Sequence, residues 1–243
     1  MTHPTIEALV FDVDGTLADT EEVHRQAFNQ AFAEDGLDWH WDVATYTRLL
    51  DISGGKERLH AYWQEAHPEV TDLEGALQDR IQRLHDLKTA SYEAAVHDGA
   101  VTLRPGVLAL MDEALKRNLK LAIATTTSPV NIAALMRRAV GEDWGARFAV
   151  IEDASTARKK KPDPMVYEQT LQRLGVPASG CVAFEDSSNG LQAARAAGMA
   201  HVIITPTAFT AHQDFSHALQ VLPSLAGVTV DGLNRWVMQG QSR

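Results

Sequence analysis

The stretch ALVFDVDGT (residues 8–16) carries the strongest structural signal in this 243-residue chain. Its four apolar residues predict a buried β-strand, which runs into two carboxylates, Asp12 and Asp14. Open α/β sheets bind their ligands at the carboxyl ends of the strands, so these acids are candidate active-site residues. Successive side chains of a strand point to opposite faces, so both acids reach one centre only if the strand ends at Asp12. Gly15 gives the backbone the freedom to turn there.

Two other interpretations of these acids stay open from this segment alone. An EF-hand calcium loop has glycine at its sixth position and lies between helices, whereas Gly15 is the fourth residue here and follows a strand. In an ordinary strand-to-helix turn, Asp12 or Asp14 would only cap the next helix. The segments that follow favour a third interpretation, a Mg²⁺-dependent phosphoryl-transfer site.

Composition limits the class of protein. Hydrophobic residues make up 45% of the chain and charged residues 22%, which is enough for a globular protein with a sizeable core. The net charge of −10 argues against nucleic acid as the main partner, and no apolar run approaches the length of a membrane span. The first residues lack the features of a secretion signal, so we expect a cytoplasmic protein. We also expect it to be a monomer. Cys181 lies in an apolar stretch and is expected to be a buried small residue.

Residues 20–97 show helical periodicity and almost no β-branched runs. Helices are predicted over residues 22–33 and 73–95, and the glycine loop DISGGKER (residues 51–58) begins another helix between them. From about residue 101 the pattern alternates between helix and strand, which is typical of a parallel sheet with flanking helices. Strands are predicted at 119–124, 148–151, 181–184 and 201–204, and helices at 105–117, 129–138, 163–174 and 190–197.

The first strand has to join this later sheet. The predicted fold class is therefore α/β, a Rossmann-like doubly wound parallel sheet with an inserted α-helical cap. The sheet core is formed by residues 1–19 and 98–243, and the cap, residues 20–97, is expected to lie over the active end of the sheet. The pattern after Thr205 predicts no definite structure.

Polar residues follow the later strands as well. The run TTTS (residues 125–128) offers hydroxyl and backbone N–H groups for a phosphate, although the same threonines could simply cap the next helix. The run KKKPDP (residues 159–164) is more commonly a solvated charge run. Two further acids, Glu185 and Asp186, directly follow the apolar strand at 181–184.

These four segments together resemble the motifs of the haloacid dehalogenase-like hydrolases. The motifs occur in the family's order, as FDVDGT (11–16), IATT (123–126), KKPDP (160–164) and FEDSSNG (184–190). The chain resembles, over nearly its whole length, the capped sugar-phosphate branch that contains β-phosphoglucomutase and the CbbY phosphatases. Similarity to the CbbY group extends to DTEEVHRQAF (19–28), GGKERL (54–59) and TPTAFTAHQDFSHAL (205–219). In this branch a helical cap is inserted between the first and second motifs.

The resemblance implies roles for the acids. Asp12 would attack phosphorus and form an aspartyl-phosphate, while Asp14 would act first as general acid and then as general base. A Mg²⁺ cofactor would be bound by Asp12, the backbone carbonyl of Asp14 and Asp186, with Glu185 at the metal or just behind it.

The resemblance also implies how the transferring phosphoryl group is held. Thr125 and Lys161 would bind its oxygens, with help from the N–H of Thr126. The family's lysine stands next to the proline of the third motif, so Lys159 and Lys160 are expected to face solvent.

Substrate choice is expected to come from the cap. The resemblance points to Glu21 and His24, which lie one helical turn apart on one face and would hydrogen-bond a sugar. Lys56 and Arg58 in the GGKER loop would bind a second phosphate, because a guanidinium group suits phosphate oxygens. For that loop, a helix capped by Ser53 with solvated charges is an equal alternative.

The expected function is a Mg²⁺-dependent phosphatase that acts on a small sugar bisphosphate, specifically xylulose 1,5-bisphosphate by resemblance to the CbbY phosphatases. The alternatives are a phosphomutase of the β-phosphoglucomutase type and a broader sugar-phosphate phosphatase, which share the aspartyl-phosphate chemistry. Dehalogenation is disfavoured because it needs neither an acid–base Asp14 nor a metal. A signalling receiver domain also phosphorylates an aspartate, but it needs no cap and no leaving-group acid.

Overall fold

The computed structural model describes residues 6–67 and 74–240, and its centre is a six-stranded parallel sheet. The strands follow the order β3-β2-β1-β4-β5-β6. Their bounds are β1 Ala8–Phe11, β2 Lys120–Ala124, β3 Val150–Glu152, β4 Cys181–Glu185, β5 Val202–Ile204 and β6 Gln220–Val221. The first strand is central, with Phe11 in register with Ile123 on one side and Phe184 on the other. The predicted doubly wound parallel sheet is thereby confirmed.

Nine helices connect or flank the strands in the described part of the chain. They are α1 Glu21–Glu34, α2 Val43–Leu49, α3 Gly55–Ala66, α4 Glu74–His97, α5 Val107–Lys116, α6 Pro129–Val140, α7 Met165–Leu174, α8 Ser188–Ala196 and α9 Val230–Gly240. Side-chain caps define several starts: Ser128 accepts from the N–H of Asn131, and Ser187 accepts from the N–H of Gly190. Pro129 in the first turn of α6 costs no intrahelical hydrogen bond.

Each strand and helix predicted from the sequence has its counterpart, with bounds that shift by a few residues. Residue 73, where the fourth helix was predicted to begin, lies outside the described residues. The sequence pattern missed α2, a short helix whose N-terminus is capped by the side chain of Asp42. It also gave no structure for the tail, where β6 and α9 form.

The chain divides into two compact units. The sheet unit comprises residues 1–19 and 102–243, and the helical unit comprises residues 20–101. The sequence predicts the end of the helical unit at residue 97, which is the last residue of α4. In the structure this unit extends four residues further, to Val101, whose side chain is buried. That the helical unit acts as a cap over the active end stays a prediction.

Each unit has its own core. In the sheet unit, β1 and β4 are buried along their whole length, as is typical of central parallel strands, and the rings of Phe11 and Phe184 stack 4.7 Å apart. In the helical unit, the core is aromatic, with the ring of Phe28 lying 4.7 Å from that of Trp41. In the described ranges, none of the helices is both long and apolar enough to cross a membrane.

Candidate active site

Asp12 lies immediately after β1, at the centre of the sheet's carboxyl edge. Its backbone N–H donates to the carbonyl of Phe184 at 3.0 Å, so the backbone is fixed to the neighbouring strand β4. Phe11 is in register with Ile123 and Phe184, so the residues that follow these three positions lie side by side at the carboxyl edge of the sheet. Asp12 is buried at that point, as expected for a residue held in a water-poor site.

Lys161 connects three strand ends through one buried ammonium group. Its Nζ donates to Asp12 Oδ1 at 2.7 Å, to Glu185 Oε1 at 2.6 Å and to the carbonyl oxygen of Ala124 at 2.9 Å. Burial disfavours the charged ammonium, but the two neighbouring carboxylates outweigh it and raise the pKa of Lys161 above its usual value. Lys161 is therefore protonated at neutral pH.

The pKa of Asp12 is raised to about 7. Burial is the main cause, and the negative charge of Glu185 adds to it, whereas Lys161 acts in the opposite direction. The carboxylates of Asp12, Glu185 and Asp186 with the ammonium of Lys161 carry a formal charge of −3 + 1 = −2 when all are ionised. A divalent cation would compensate this charge.

The residues present fit a hard divalent cation such as Mg²⁺. Carboxylate oxygens of Asp12, Glu185 and Asp186 lie within 4.8 Å of one another, and all three residues are buried. The Oε2 atom of Glu185 is buried and accepts no hydrogen bond from the described residues, so this oxygen is available to a cation. Buried carboxylate oxygen is the donor type that Mg²⁺ prefers.

Two glycines allow these acids to pack closely. A β-carbon on Gly15 would lie 2.2 Å from Asp186 Oδ2, and one on Gly190 would lie 1.9 Å from Glu185 Oε2. Gly15 also has a φ of +78°, which side-chain-bearing residues rarely adopt. A β-carbon at either position would clash with a carboxylate. The turn after β1 and the first turn of α8 can therefore lie this close to the acids only because both residues are glycine.

The carboxylate of Asp14 is outside the cluster of three acids and is held by a threonine. The hydroxyl of Thr127 donates to Asp14 Oδ2, and the hydroxyl of Thr125 donates to Thr127 Oγ1 at 3.2 Å. Thr125 is buried and its N–H donates to the carbonyl of Glu152, while Thr126 is half-buried. The sequence pointed to Thr125 and Thr126 but missed Thr127, although it belongs to the same TTTS run.

The charge run at the third motif divides partly as expected. Lys161 reaches the site, and Lys159 is exposed and pairs with Asp163 at 3.3 Å, whereas Lys160, also expected to face solvent, is half-buried. Tyr167 was not predicted. It lies on α7, and its hydroxyl donates to Glu185 Oε1 at 2.5 Å. Lys161 and Tyr167 share that oxygen, so Glu185 holds the lysine in place as well as contributing charge.

In the helical unit, Tyr46 links two predicted site residues, Glu21 and Arg58, although the sequence analysis did not single out Tyr46. The hydroxyl of Tyr46 donates to Glu21 Oε2 at 2.7 Å, and Nη1 of Arg58 donates to the Tyr46 oxygen at 3.3 Å. Arg58 also donates through Nε to the carbonyl of Ile52 at 2.9 Å. Glu21 is buried and Arg58 half-buried, so this chain of hydrogen bonds lies partly inside the unit.

His24 belongs to a second polar group in the same unit. Its buried ring stacks on Tyr92 with the ring centroids 4.1 Å apart. Lys88, which the sequence analysis did not single out, is buried, and its Nζ lies 5.1 Å from the ring centroid of Tyr92 and 5.3 Å from that of Phe28. The four-residue spacing of Lys88 and Tyr92 on α4 was the available signal.

Lys56 is the predicted site residue that stands apart. It is exposed on α3, and its Nζ donates to the side chain of Gln82 on α4 at 2.5 Å. It shares none of the contacts described for Arg58, so the geometry adds no support for the expected pair of phosphate ligands.

The comparisons with known proteins agree with this geometry. A family model described as haloacid dehalogenase-like hydrolase matches residues 6–198. The plasmid-borne CbbY protein of Cupriavidus necator is 53% identical over 221 residues, covering 90% of this chain and 86% of that protein. The CbbY protein of Rhodobacter capsulatus is 44% identical over 94% of this chain and 97% of its own length.

Solved structures give the same result. The crystal structure of CbbY from Rhodobacter sphaeroides in complex with phosphate has a TM-score of 0.85 at 41% identity, over 95% of this chain and 100% of that one. A β-phosphoglucomutase from Clostridium difficile matches with a TM-score of 0.79 at 21% identity, over 98% of this chain and 100% of that one, which shows a shared fold. The chain belongs to the haloacid dehalogenase-like hydrolase family, has CbbY proteins among its relatives, and is a phosphatase enzyme.

Proposed function

We propose that this protein is a Mg²⁺-dependent phosphatase that removes a phosphate group from a sugar bisphosphate, specifically xylulose 1,5-bisphosphate. The observation that carries the proposal is the buried cluster of Asp12, Glu185 and Asp186, with Lys161 bonded to two of its acids. A mutant of the similar Rhodobacter sphaeroides CbbY was crystallised in complex with xylulose-(1,5)bisphosphate. That structure has a TM-score of 0.85 at 41% identity, over 94% of this chain and 99% of that one.

Asp12 is the proposed nucleophile. Its carboxylate attacks phosphorus in line, and the sugar oxygen leaves as the bond to Asp12 forms. Lys161 contributes by donating to Asp12 Oδ1, which fixes the carboxylate and favours its ionised form. The pKa of Asp12 is raised to about 7, mainly by burial, although Lys161 acts to lower it, so this nearby positive charge helps to keep the nucleophile ionised at neutral pH.

Asp14 is the proposed acid and base. It protonates the leaving sugar oxygen, and it then takes a proton from the water that hydrolyses the aspartyl-phosphate, returning Asp12 to its starting state. The hydroxyl of Thr127 donates to Oδ2 of Asp14 and so helps to hold this carboxylate in place. Thr125, with the N–H of Thr126, is proposed to bind the phosphoryl oxygens.

The metal residues are proposed to be Asp12, Asp186 and the backbone carbonyl of Asp14, with Glu185 behind them. A bound Mg²⁺ would neutralise charge on the phosphoryl group and on the attacking carboxylate. Glu185 already accepts hydrogen bonds from Lys161 and Tyr167, so its main task is to hold the lysine.

Sugar recognition is proposed for the helical unit, acting as the cap. Glu21 offers a carboxylate and His24 an imidazole for sugar hydroxyl groups, and the two side chains lie on one face of α1. Arg58 and the buried Lys88 supply positive charge for the phosphate group that is not transferred. Lys56 could take part only by leaving its contact with Gln82.

The decisive experiment measures phosphate release with and without Mg²⁺. The substrates are xylulose 1,5-bisphosphate, ribulose 1,5-bisphosphate, fructose 1,6-bisphosphate and β-glucose 1-phosphate. Asp12→Asn is the test variant, and Asp231→Asn, a change at an exposed acid of the same unit, is the matched control. We expect Mg²⁺-dependent release that is fastest with xylulose 1,5-bisphosphate and absent in Asp12→Asn.

Other outcomes separate the alternatives. Conversion of β-glucose 1-phosphate to glucose 6-phosphate with little free phosphate would replace hydrolysis by a phosphomutase reaction. Similar rates on all sugar phosphates would indicate a broader phosphatase. Activity that survives in Asp12→Asn would exclude the covalent mechanism.

A further inference from the structure

Arg104, just before α5, binds three loops of the sheet unit through one guanidinium group. Its Nη1 donates to the carbonyls of Gly15 and Thr205 and to the Thr205 hydroxyl. Its Nη2 donates to the carbonyls of Pro206 and Pro223 at 3.0 and 3.1 Å. These acceptors belong to the turn after β1, the loop after β5 and the loop after β6, so a single side chain ties together three separate parts of the chain.

The backbone beside Arg104 is also fixed to the first of these loops. The N–H of Arg104 donates to the carbonyl of Leu17 at 2.8 Å, and Leu103 forms an antiparallel bridge with Ala18. The stem of the side chain is therefore anchored where it leaves the backbone. The acceptors of the Arg104 guanidinium named above are uncharged oxygens, mostly backbone carbonyls, so these hydrogen bonds fix backbone positions. The negative charges of Asp186 and Asp19 also act on the guanidinium.

Two of the loops held by Arg104 lie close to Asp186. On one side, the turn after β1 is so close that a β-carbon on Gly15 would lie 2.2 Å from Asp186 Oδ2. On the other side, the loop after β5 begins with Thr205, whose N–H donates to the carbonyl of Glu185 at 2.8 Å. The same loop supplies the hydroxyl of Thr210, 3.5 Å from Asp186 Oδ2. A shift of either loop would therefore move or release this carboxylate.

We propose that Arg104 is a positioning residue that fixes Asp186 for metal binding by clamping the turn after β1 and the loop after β5 on either side of it. This inference rests on the proposed Mg²⁺-dependent function. It predicts that Arg104 acts on the affinity for the metal, through backbone geometry, and does not touch the substrate or the reacting atoms.

The test compares Arg104→Met and Arg104→Lys with Arg117→Met, a matched control at an arginine of the same unit that pairs with Asp231 and Glu113. Mg²⁺ binding to the substrate-free protein is measured by titration calorimetry. Unfolding by urea in the absence of Mg²⁺ and the Mg²⁺ dependence of phosphate release are measured in parallel.

We expect Arg104→Met to weaken Mg²⁺ binding by about 10–100-fold, the range seen when groups that orient metal ligands are removed. Arg104→Lys keeps the charge but cannot reach all the carbonyls, so its affinity should fall between those of Arg104→Met and the wild type. Saturating Mg²⁺ should restore most of kcat in both variants. Arg117→Met should bind Mg²⁺ as the wild type does.

A purely structural role would lower the urea midpoint and leave Mg²⁺ affinity unchanged, and that result would overturn the inference. If Arg104→Met does not fold, the same criterion applies to Arg104→Lys. A wild-type protein that hydrolyses sugar phosphates without binding Mg²⁺ would contradict the proposed function itself. If the wild-type protein binds Mg²⁺ and the Arg104 variants bind it with the same affinity, only the role of Arg104 would be contradicted.

Discussion

Among the residues that the structure describes, each unit contains one buried lysine, and the two are held in different ways. Lys161 in the sheet unit donates to two carboxylates and a carbonyl, all within 2.9 Å. Lys88 in the helical unit lies over two aromatic rings, with its Nζ just over 5 Å from their centroids. Carboxylates neutralise a cation, whereas aromatic faces stabilise it and leave its formal charge in place.

This difference indicates that the two lysines have different roles. The ammonium of Lys161 is committed to Asp12 and Glu185, so it organises the groups that carry out the proposed chemistry. Lys88 carries positive charge that we propose acts on the phosphate group that is not transferred. Changes in the sheet unit should therefore lower kcat, and changes in the helical unit should raise KM.

Apart from loss of the nucleophile itself, the largest effect is expected from Asp14→Asn in the sheet unit. Loss of the general acid and base should lower kcat for a sugar phosphate by about 10²–10⁴-fold with little change in KM. With p-nitrophenyl phosphate, whose leaving group needs no protonation, the decrease should be much smaller for the first step. Asp231→Asn is the control, and equal losses on both substrates in a burst-phase measurement would contradict the role of Asp14 as an acid.

The next largest effect is expected from Lys161→Met. It should lower kcat by at least about 10²-fold, comparable to the loss of one preorganised donor to a transition state. Without Mg²⁺, removal of one partner from a buried charge pair should also reduce the free energy of unfolding by about 3–5 kcal/mol. Lys159→Met, at the exposed lysine two residues earlier, is the matched control for both measurements. A variant that keeps its activity would show that Asp12 does not depend on this charge.

Lys88→Met should act on binding and should have a smaller effect. We expect KM for the bisphosphate to rise about tenfold, which corresponds to about 1.4 kcal/mol of lost binding. KM for a sugar monophosphate, which lacks the second phosphate group, should change little. Arg83→Met, at an exposed arginine on the same helix, is the control. A decrease in kcat with constant KM would assign Lys88 to the chemistry and remove the contrast between the two lysines.

Tyr46→Phe should have the smallest effect. It deletes the hydroxyl that joins Glu21 to Arg58, so the free energy of unfolding should fall by about 0.5–1.5 kcal/mol. KM for the bisphosphate should rise by a few fold, because both side chains become less fixed. Tyr62→Phe, at a tyrosine whose ring packs on Trp39 and Trp41, is the control in urea unfolding and kinetics. Wild-type stability and KM would show that the bridge is unimportant.

The sheet unit was the more predictable of the two units. Its strands are short apolar runs, and parallel pairing brings Asp12, Thr125 and Glu185 to one edge whatever their distance in sequence. The position of Lys161 followed from its place beside Pro162 in the third motif. The residues that support these groups, such as Thr127 and Tyr167, carry no pattern of their own, because a single hydroxyl becomes meaningful only when its partner is known.

The helical unit was less predictable for a physical reason. Periodicity identifies the buried face of each helix, but it does not fix which side chains of two packed helices meet. Glu21 was found because it lies beside the first motif, whereas its partner Tyr46 lies on the short helix α2, which the pattern missed. The hydrogen bonds of Arg104 were equally hidden, since its acceptors are backbone carbonyls, which every sequence contains.

The central position of β1 has a consequence for how the chain folds during synthesis. The first strand is made first, yet both of its neighbours come much later, at residues 120–124 and 181–185. The helical unit is continuous in sequence, so all its residues have left the ribosome long before β4 exists. The apolar strand β1 must therefore stay without its final neighbours for most of translation, and sheet closure around Asp12 is a late, long-range step.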